Sequence, residues 1–326
     1  MSKPSGWMLR SVLVVTMGAA GAAGAQDAQT YPNRPIRFLV GFAAGGFTDV
    51  MARAIAAKLA ENWNQQVIVD NRPGAGTIVA TEFVAKAPPD GYTLLMMTDN
   101  HVTNPSLFKQ LPYDSEKDFA PITLGALAPF LLLVHPSLPV KSVKDLVALA
   151  KARPGQLLFA SGGIGGPGHL AGELLNSLAG VRMVHVPYKG GALAMIDLQA
   201  GQTQLYFGNL PISLPHVKTG KVRALAVTSA KRTVSAPEYP TVAETIPGFE
   251  LTPWYGVLTR AGTPPDILAK LNREIVGILR NPEMRDRLTG LGAEPVGNSQ
   301  AEFAAFLRTE VVKWGKLVRD SGARSE

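Results

Sequence analysis

Residues 159–175, FASGGIGGPGHLAGELL, hold Gly163, Gly165 and Gly168 in the G-x-G-x-x-G spacing that seats nucleotide phosphates. Two more stretches share that character, GFAAGGFTD (41–49) and DNRPGAGT (70–77). Glycine allows positive φ and close approach of a ligand to the backbone. A helix starting just after such a loop presents unpaired N–H groups with partial positive charge. Each loop is therefore either an ordinary tight turn or a seat for an anion. A dinucleotide site also needs an acid about 20 residues on, at the end of the next strand, to hold the ribose hydroxyls. That position reads HVPYKGG (185–191), with no Asp or Glu, so the glycines point to a carboxylate instead.

Other chemistries find less material. Ser161, His169 and Asp197 are the residue types of a hydrolase, but the chain lacks a G-x-S-x-G elbow. The histidines, at 101, 135, 169, 185 and 216, form no H-x-x-x-H or H-E-x-x-H pair, which argues against zinc. With no cysteine, disulfides, thiolate catalysis and Cys-ligated metals are excluded. Arg72 is the one cation in the three loops, and a solvated turn arginine before Pro73 accounts for it. Asp49 and Thr48 stand where they could cap the helix after the first loop; Asp49 is also placed to hold that loop in shape. His169, just inside the helix after the third loop, reads as polar support and not as a catalyst. Phe42, Phe47 and Tyr188 are the aromatics nearest the loops. Phe47, beyond the glycine pair, is expected to wall a pocket.

These loops need a scaffold, and the rest of the sequence supplies one. Apolar runs at 36–42, 67–70, 93–98, 131–134, 157–160, 184–186, 204–207, 223–228 and 255–258 read as strands. Amphipathic segments between them give the strand–helix alternation of α/β folds with parallel sheets. TDVMARAIAAKLAENW places Val50, Ala54, Ile55 and Leu59 on one stripe. SVKDLVALAKARPG opens with Ser142 and Asp145 at near capping-box spacing, and Ser299 with Glu302 forms a capping box before the last helix. The nearly continuous apolar run PITLGALAPFLLLVHPSLPV, interrupted by Gly125 and Pro129, suits a chain leaving one lobe for another. A second crossing is expected between RALAVTSAKR and PWYGVLTRAG. Two crossings give two α/β lobes, the first discontinuous (30–126 and 247–326) and the second continuous (127–246). One large sheet is the alternative.

VGFAAGGFTD, VDNRPGAG, DGYTLL, LPYDSEKDFAPI, HPSLPVKSVKDL, SGGIGGPGHLAGE, VPYKGGALAMIDLQAGQ, RALAVTS, PTVAET, WYGVLTRAGTPPDILAKLN and LGAEPVG, taken in order, resemble the Bug receptors. These are the extracytoplasmic solute receptors of tripartite tricarboxylate transporters. The likeness runs from about Tyr31 to the C-terminal helix. It implies a type II periplasmic binding protein, a two-lobed Venus flytrap with two hinge crossings, which closes on a small organic acid and has no catalytic activity or cofactor. It further implies that the ligand carboxylate meets backbone amides of the first loop, here Phe42, Ala43, Ala44, Gly45 and Gly46. Bridging waters would tie it to Gly74, Ala75 and Gly76 and to the third loop, here Gly163, Gly165, Gly166 and His169. Asp49 matches the family's acid at the first helix start, and Asn209 an asparagine after the strand at 204–207. This chain departs from the pattern at Gly166, where Ser or Thr is frequent, at Gly208, where Asp is common, and at Gly41, a frequent proline. With Phe47 present and no hydroxyl at Gly166, the distal end of the ligand is expected to be less polar than a dicarboxylate or an amino acid. The enzyme alternative is an exported hydrolase of small esters or amides using Ser161 or His169.

The N-terminus sets the compartment. Lys3 and Arg10 precede an uncharged Ala-, Gly- and Val-rich stretch ending in Ala23-Gly24-Ala25, the pattern of a cleaved signal peptide, so residues 1–25 are expected to be removed on export to the periplasm. The formal charge of +7 includes Lys3 and Arg10, leaving 7 − 2 = +5 on the mature chain. That excess is spread out, with no Lys/Arg run among aromatics, so nucleic acid is not an expected partner. The expected partners are a small carboxylate and the subunits of a membrane transporter, with the receptor itself a monomer.

Overall fold

The computed structural model describes residues 30–233 and 235–321. The expected signal peptide, residues 1–25, lies outside them. The described chain runs β1 (Ile36–Val40), α1 (Phe47–Trp63), β2 (Val67–Asn71), α2 (Ile78–Ala85), β3 (Thr93–Met97), α3 (Asn100–Leu107), β4 (Phe119–Leu127) and β5 (Phe130–Val134). It continues with α4 (Val143–Ala152), β6 (Leu158–Ser161), α5 (Pro167–Ala179), β7 (Val184–Pro187), α6 (Gly191–Gln199), β8 (Leu205–Asn209), α7 (Leu210–Lys218) and β9 (Arg223–Val227). The last part holds β10 (Trp254–Arg260), α8 (Pro265–Arg280), α9 (Pro282–Gly290), β11 (Glu294–Pro295) and α10 (Gln300–Ser321).

Among the described residues the strands form two mixed sheets, ordered β11-β4-β10-β3-β1-β2 and β7-β6-β8-β5-β9, and not one large sheet. β1 pairs in parallel with β2 and β3, and β6 with β7 and β8. Strands covered by helices on both faces lose the apolar–polar alternation, and β5, FLLLV, is buried at every position. The first crossing falls at Ala128–Pro129, between β4 of one sheet and β5 of the other. The second lies between β9 and β10.

Helix starts follow local chemistry. Ser142 Oγ accepts from the Asp145 amide at 3.1 Å to open α4, and Ser299 with Glu302 forms the reciprocal box before α10. On α8, Ile267, Leu271, Ile275 and Ile278 recur every three or four residues and all are buried. The α1 stripe is centred on Met51, Ile55 and Leu59, with Val50 only half-buried. One apolar core takes Leu39 and Leu95 from the first sheet, Leu132 and Phe207 from the second, and Trp254, Phe303 and Trp314 around α10. α10 packs on α3, β4 and α5, so the last helix bridges the two lobes.

Candidate functional site

The first and third loops reach their helices by the same backbone route. Gly45 has φ +89° and Gly165 φ +74°. The next residue is in each case an extended glycine N-cap, Gly46 at φ −78°, ψ 165° and Gly166 at φ −75°, ψ 164°. No side chain caps either helix, so the expected capping by Thr48 or Asp49 does not occur. Instead, the third residue of each helix reaches back past the cap. Asp49 Oδ2 accepts from the Gly45 amide at 3.0 Å, and His169 Nδ1 accepts from the Gly165 amide at 3.2 Å. The loop is thereby pinned without a side chain over the first helical amides, which begin at Phe47 in α1 and at Gly168 in α5, where Pro167 has no N–H.

The two pins are chemically different. Asp49, 4% exposed, also takes hydrogen bonds from Arg53 Nε and Asn71 Nδ2, each at 3.0 Å. Burial alone would raise its pKa, but bonds from Arg53, the Gly45 amide and Asn71 outweigh it and hold the carboxyl below its ordinary value. Asn71 also donates to the Phe42 carbonyl at 3.0 Å, tying the strand end to the same network. His169, also 4% exposed, stacks on His185 with ring centroids 4.0 Å apart. Burial pushes His169 down to about 4; burial, with His169 beside it, pushes His185 down to about 3. Both are neutral at pH 7. His185 Nε2 lies 2.6 Å from Ser161 Oγ, which also accepts from the Gly163 amide at 3.1 Å. Ser161 is fully buried and serves as a loop latch.

The second loop is left-handed at three successive positions, Ala75 (φ +45°), Gly76 (+61°) and Thr77 (+77°). Non-glycine residues there carry strain of about 1–3 kcal/mol each, which persists only where the surroundings over-determine it. α3 supplies those surroundings. Asn104 Nδ2 donates to the Gly76 carbonyl at 2.9 Å, Asn100 Nδ2 to the Ile164 carbonyl at 3.0 Å, and Thr103 Oγ1 to the Gly165 carbonyl at 2.7 Å. One short helix thus stitches the second loop to the third across the cleft. The Ala43 amide, bonded to the Lys189 carbonyl at 3.0 Å, closes the other side.

Between the lobes lies an inner cavity of about 50 Å³, walled by Phe42, Gly46, Phe47 and Thr48 from one side and Gly166, Gly168, Gly191, Tyr206 and Asn209 from the other. Thr98, Phe130 and Tyr255 complete much of its lining. An adjoining cavity of about 180 Å³ shares Phe42 and Gly162 with it and is lined by Gly74, Ala75, Gly76, Gly163 and Tyr188. Tyr188 donates to Asp197 at 2.7 Å, and burial with that carboxylate raises its pKa to about 12. Of the residues expected at the site, Ala43, Ala44, Gly45, Gly165, Asp49 and His169 do not line either cavity. They shape the loops from behind or outside.

The inner cavity has no charged side chain among its described lining residues. The starts of α1, α5, α6 and α7 meet there, through Gly46–Phe47, Gly166–Pro167, Gly191 and Asn209, and none of the four is capped by a side chain. Helix N-termini carry about half a positive charge each, so the potential in the cavity favours an anion although no cationic side chain is among its described lining residues.

Beside Phe47 and Phe130, its wall carries Tyr206, Asn209 and Tyr255. Asn209 Nδ2 donates to the Tyr255 hydroxyl across the lobes, which leaves the Tyr255 proton free to donate. Burial keeps Tyr206 and Tyr255 protonated far above pH 7. Phe47 does wall the pocket, edge-on to Tyr255 at 4.8 Å. The departures from the family pattern also have packing reasons. A Cβ at Gly208 would lie 2.5 Å from the Tyr206 ring and 2.7 Å from Ser213 Oγ, and one at Gly41 would lie 2.6 Å from Thr77 Cβ. Sequence reasoning missed Tyr206, Tyr255 and Thr98, and also Gly191, although KGGA after a strand repeats the glycine-then-helix signature of the other loops.

The family model described as the tripartite tricarboxylate transporter family receptor matches residues 51–323. The chain belongs to that family. BugT of Bordetella pertussis is 36% identical over 319 residues, 97% of this chain and 98% of BugT. Among solved structures, Rpa4515 of R. palustris with adipate superposes with a TM-score of 0.88 at 38% identity, covering 90% of this chain and 99% of that one. MatC of Rhodopseudomonas palustris with bound malate gives 0.84 at 33% identity, covering 88% and 100%. Membership in a receptor family leaves the hydrolase alternative without support, and Ser161 is paired with His185, not with His169.

Proposed function

We propose that this receptor captures a small organic carboxylate in the periplasm, seating one carboxylate on the backbone amides at the starts of α1, α5 and α6. The observation that carries the reading is the meeting of uncapped helix starts at a cavity lined by no charged side chain. A charge-assisted hydrogen bond is worth about 1.5–3 kcal/mol, and a favourable helix terminus adds about 0.3–1 kcal/mol. Three such bonds and one terminus supply about 5–10 kcal/mol before ordering costs, against about 8 kcal/mol for micromolar affinity. No arginine clamp is required. The Tyr206 and Tyr255 hydroxyls, both donors at neutral pH, suit a second acceptor group on the ligand, as in the dicarboxylates adipate and malate held by the two relatives.

In this reading Phe42, Gly46 and Phe47, Gly74 to Gly76, Gly163 with Gly166, and Tyr188 with Asn209 form the site, while Ala43, Ala44, Gly45, Gly165, Asp49 and His169 hold its loops in position. The lobes are 30–126 with 247–326, and 127–246. They open by bending at the two crossings, breaking the few cross-lobe hydrogen bonds around the cleft. The receptor is exported with cleavage after Ala25, works as a monomer and delivers its ligand to a two-subunit membrane transporter. Native mass spectrometry of untreated protein, followed by calorimetry with mono-, di- and tricarboxylates, tests the central claim. A carboxylate that binds at micromolar concentration and raises the melting temperature is the expected result. Silence across the whole panel would overturn it.

A further inference from the structure

A second cavity, of about 220 Å³, lies away from the cleft between α3, the start of β4, β10 and α10. Val102, Phe119, Leu258, Leu307 and Val311 make its walls apolar. Two buried polar side chains also line it. His101 is 3% exposed and Ser115 8% exposed, yet neither His101 Nδ1 nor Ser115 Oγ makes a hydrogen bond among the described residues. Burying such a group without a partner costs about 1–3 kcal/mol, so two in one apolar chamber require an explanation.

The His101 ring fixes which partner is missing. It packs edge-on to Phe119 at 5.0 Å. Burial pushes its pKa down to about 4, so the ring is neutral at pH 7, with one N–H and one bare nitrogen. Nδ1 has no hydrogen-bond partner among the described residues. Ser115 Oγ, in the lining of the same cavity, can donate or accept. A hydroxyl, donor and acceptor at once, suits Nδ1 in either tautomer and Ser115 as well. An ionised carboxylate fits less well, since it would be buried against apolar walls with no buried cation beside it. The two ionic side chains in the lining, Glu116 and Arg308, are exposed and oppose each other in sign. An apolar cavity of about 150 Å³ accepts benzene, so this one has room for a six-membered ring with a hydroxyl.

We propose that this cavity is a second ligand site, for a small neutral molecule with an apolar body and one hydroxyl, a phenol or compact alcohol, held by His101 Nδ1 and Ser115 Oγ. It is separate from the carboxylate seat and does not depend on that reading. It backs onto α3, whose Asn100, Thr103 and Asn104 hold the cleft loops from the opposite side of the helix; His101 and Val102 face the cavity.

The test is a titration of the full-length receptor with phenol, followed by thermal unfolding and by the histidine-ring nitrogen NMR signals, with His101 assigned by its loss in His101→Gln. Saturable movement of the His101 Nδ1 signal, with toluene about tenfold weaker for want of the hydroxyl and benzoate without effect on His101, is the expected result. Ser115→Ala should weaken phenol about five- to tenfold, and Leu307→Trp should abolish the response by filling the cavity. If His101 does not respond to millimolar phenol in the unmodified receptor, or if benzoate moves it at lower concentration than phenol, the assignment is wrong. Because that readout needs no variant, misfolding of Leu307→Trp leaves the proposal decidable.

Discussion

The starts of α1 and α5 face each other across the cleft with backbones that agree within a few degrees at the cap, yet they are held by opposite chemistry. In GGFTD the back-reaching side chain is an ionised Asp49, supported by Arg53 and Asn71. In GGPGH it is a neutral His169, stacked on a second neutral histidine. What the site needs from each lobe is the same, a glycine cap that contributes no side chain and a loop pinned from behind. Any acceptor at the third helical position can do the pinning. The difference lies in what each pin tolerates.

The largest effect should come from occupying a cap. Gly46 already has a backbone conformation open to any residue, and a Cβ there meets nothing closer than 4.0 Å. Gly46→Asp should therefore fold, and gain a few tenths of a kcal/mol as an N-cap. Its carboxylate would occupy the anion seat, and like charges about 4 Å apart repel by about 4 kcal/mol at an effective dielectric of 20. Carboxylate affinity should drop at least a hundredfold while the melting temperature holds or rises. At Gly166 a Cβ would lie 3.3 Å from Asn100 Oδ1, so Gly166→Asp should lose binding and also disturb the stitch between the second and third loops. Calorimetry beside thermal unfolding separates the two. Retained affinity in Gly46→Asp would mean that the amides of α1 do not hold the ligand.

Acid should then distinguish the pins. The folded-state pKa values of His169 and His185 lie below the unfolded value of about 6.5, at about 4 and about 3. Their stabilisation is present above pH 6.5 and is lost as pH falls through that window. At pH 5 the deficit is about 2 kcal/mol for His185, from about 1.4 kcal/mol per unit. Asp49 has its pKa lowered instead from the carboxylate range, so its contribution survives until pH falls below about 4. Between pH 6.5 and 4.5 the second lobe should loosen while the first stays pinned. His185→Phe, which keeps the ring stack and leaves Ser161 on Gly163, should make the stability profile less steep over that range, with the slope from His169 remaining. His101 and His169, each with a pKa near 4, add their slope to both proteins and cancel in the difference. Asp49→Asn should cost about 1–3 kcal/mol at pH 7 through weaker bonds to Arg53 and Gly45. That loss should shrink below pH 4, the reverse of the histidine pattern.

Much of this was legible before any coordinates. Strands buried on both faces announce themselves as apolar runs, and Ser142 and Ser299 marked helix starts through capping chemistry that needs only local sequence. Pro129 marked the change of sheet because an apolar run cannot continue as one ladder through it. α3 was not legible. Its segment NHVTNPSL reads as a polar loop with a proline, and only tertiary packing reveals that Asn100, Thr103 and Asn104 are buried because they satisfy loop carbonyls. The glycine loops could be read because backbone chemistry follows from residue type. Tyr206 and Tyr255 could not, since a tyrosine inside an apolar strand gives no sign of which way its hydroxyl faces. The shared G-G-x-x-acceptor pattern of Asp49 and His169 was present in the sequence, but Asp and His look unrelated until both are seen accepting from the residue before the cap.

The smallest expected effect concerns that hydroxyl. Tyr255 accepts from Asn209 across the lobes and packs on Phe47, so Tyr255→Phe removes that bond and the one proposed to the ligand, and keeps the ring contact. At about 1 kcal/mol for each net hydrogen bond the loss of affinity is about five- to thirtyfold, and since these bonds hold the closed lobes on the ligand it should appear in a faster off-rate. Stopped-flow release of bound carboxylate measures it directly. Release faster by about five- to thirtyfold, with an unchanged association rate, would place Tyr255 among the contacts that hold the cleft shut around the ligand. A loss approaching that of Gly46→Asp would shift the main anchoring from the two matched helix starts to the tyrosine wall, and the comparison between the lobes would then describe scaffolding alone.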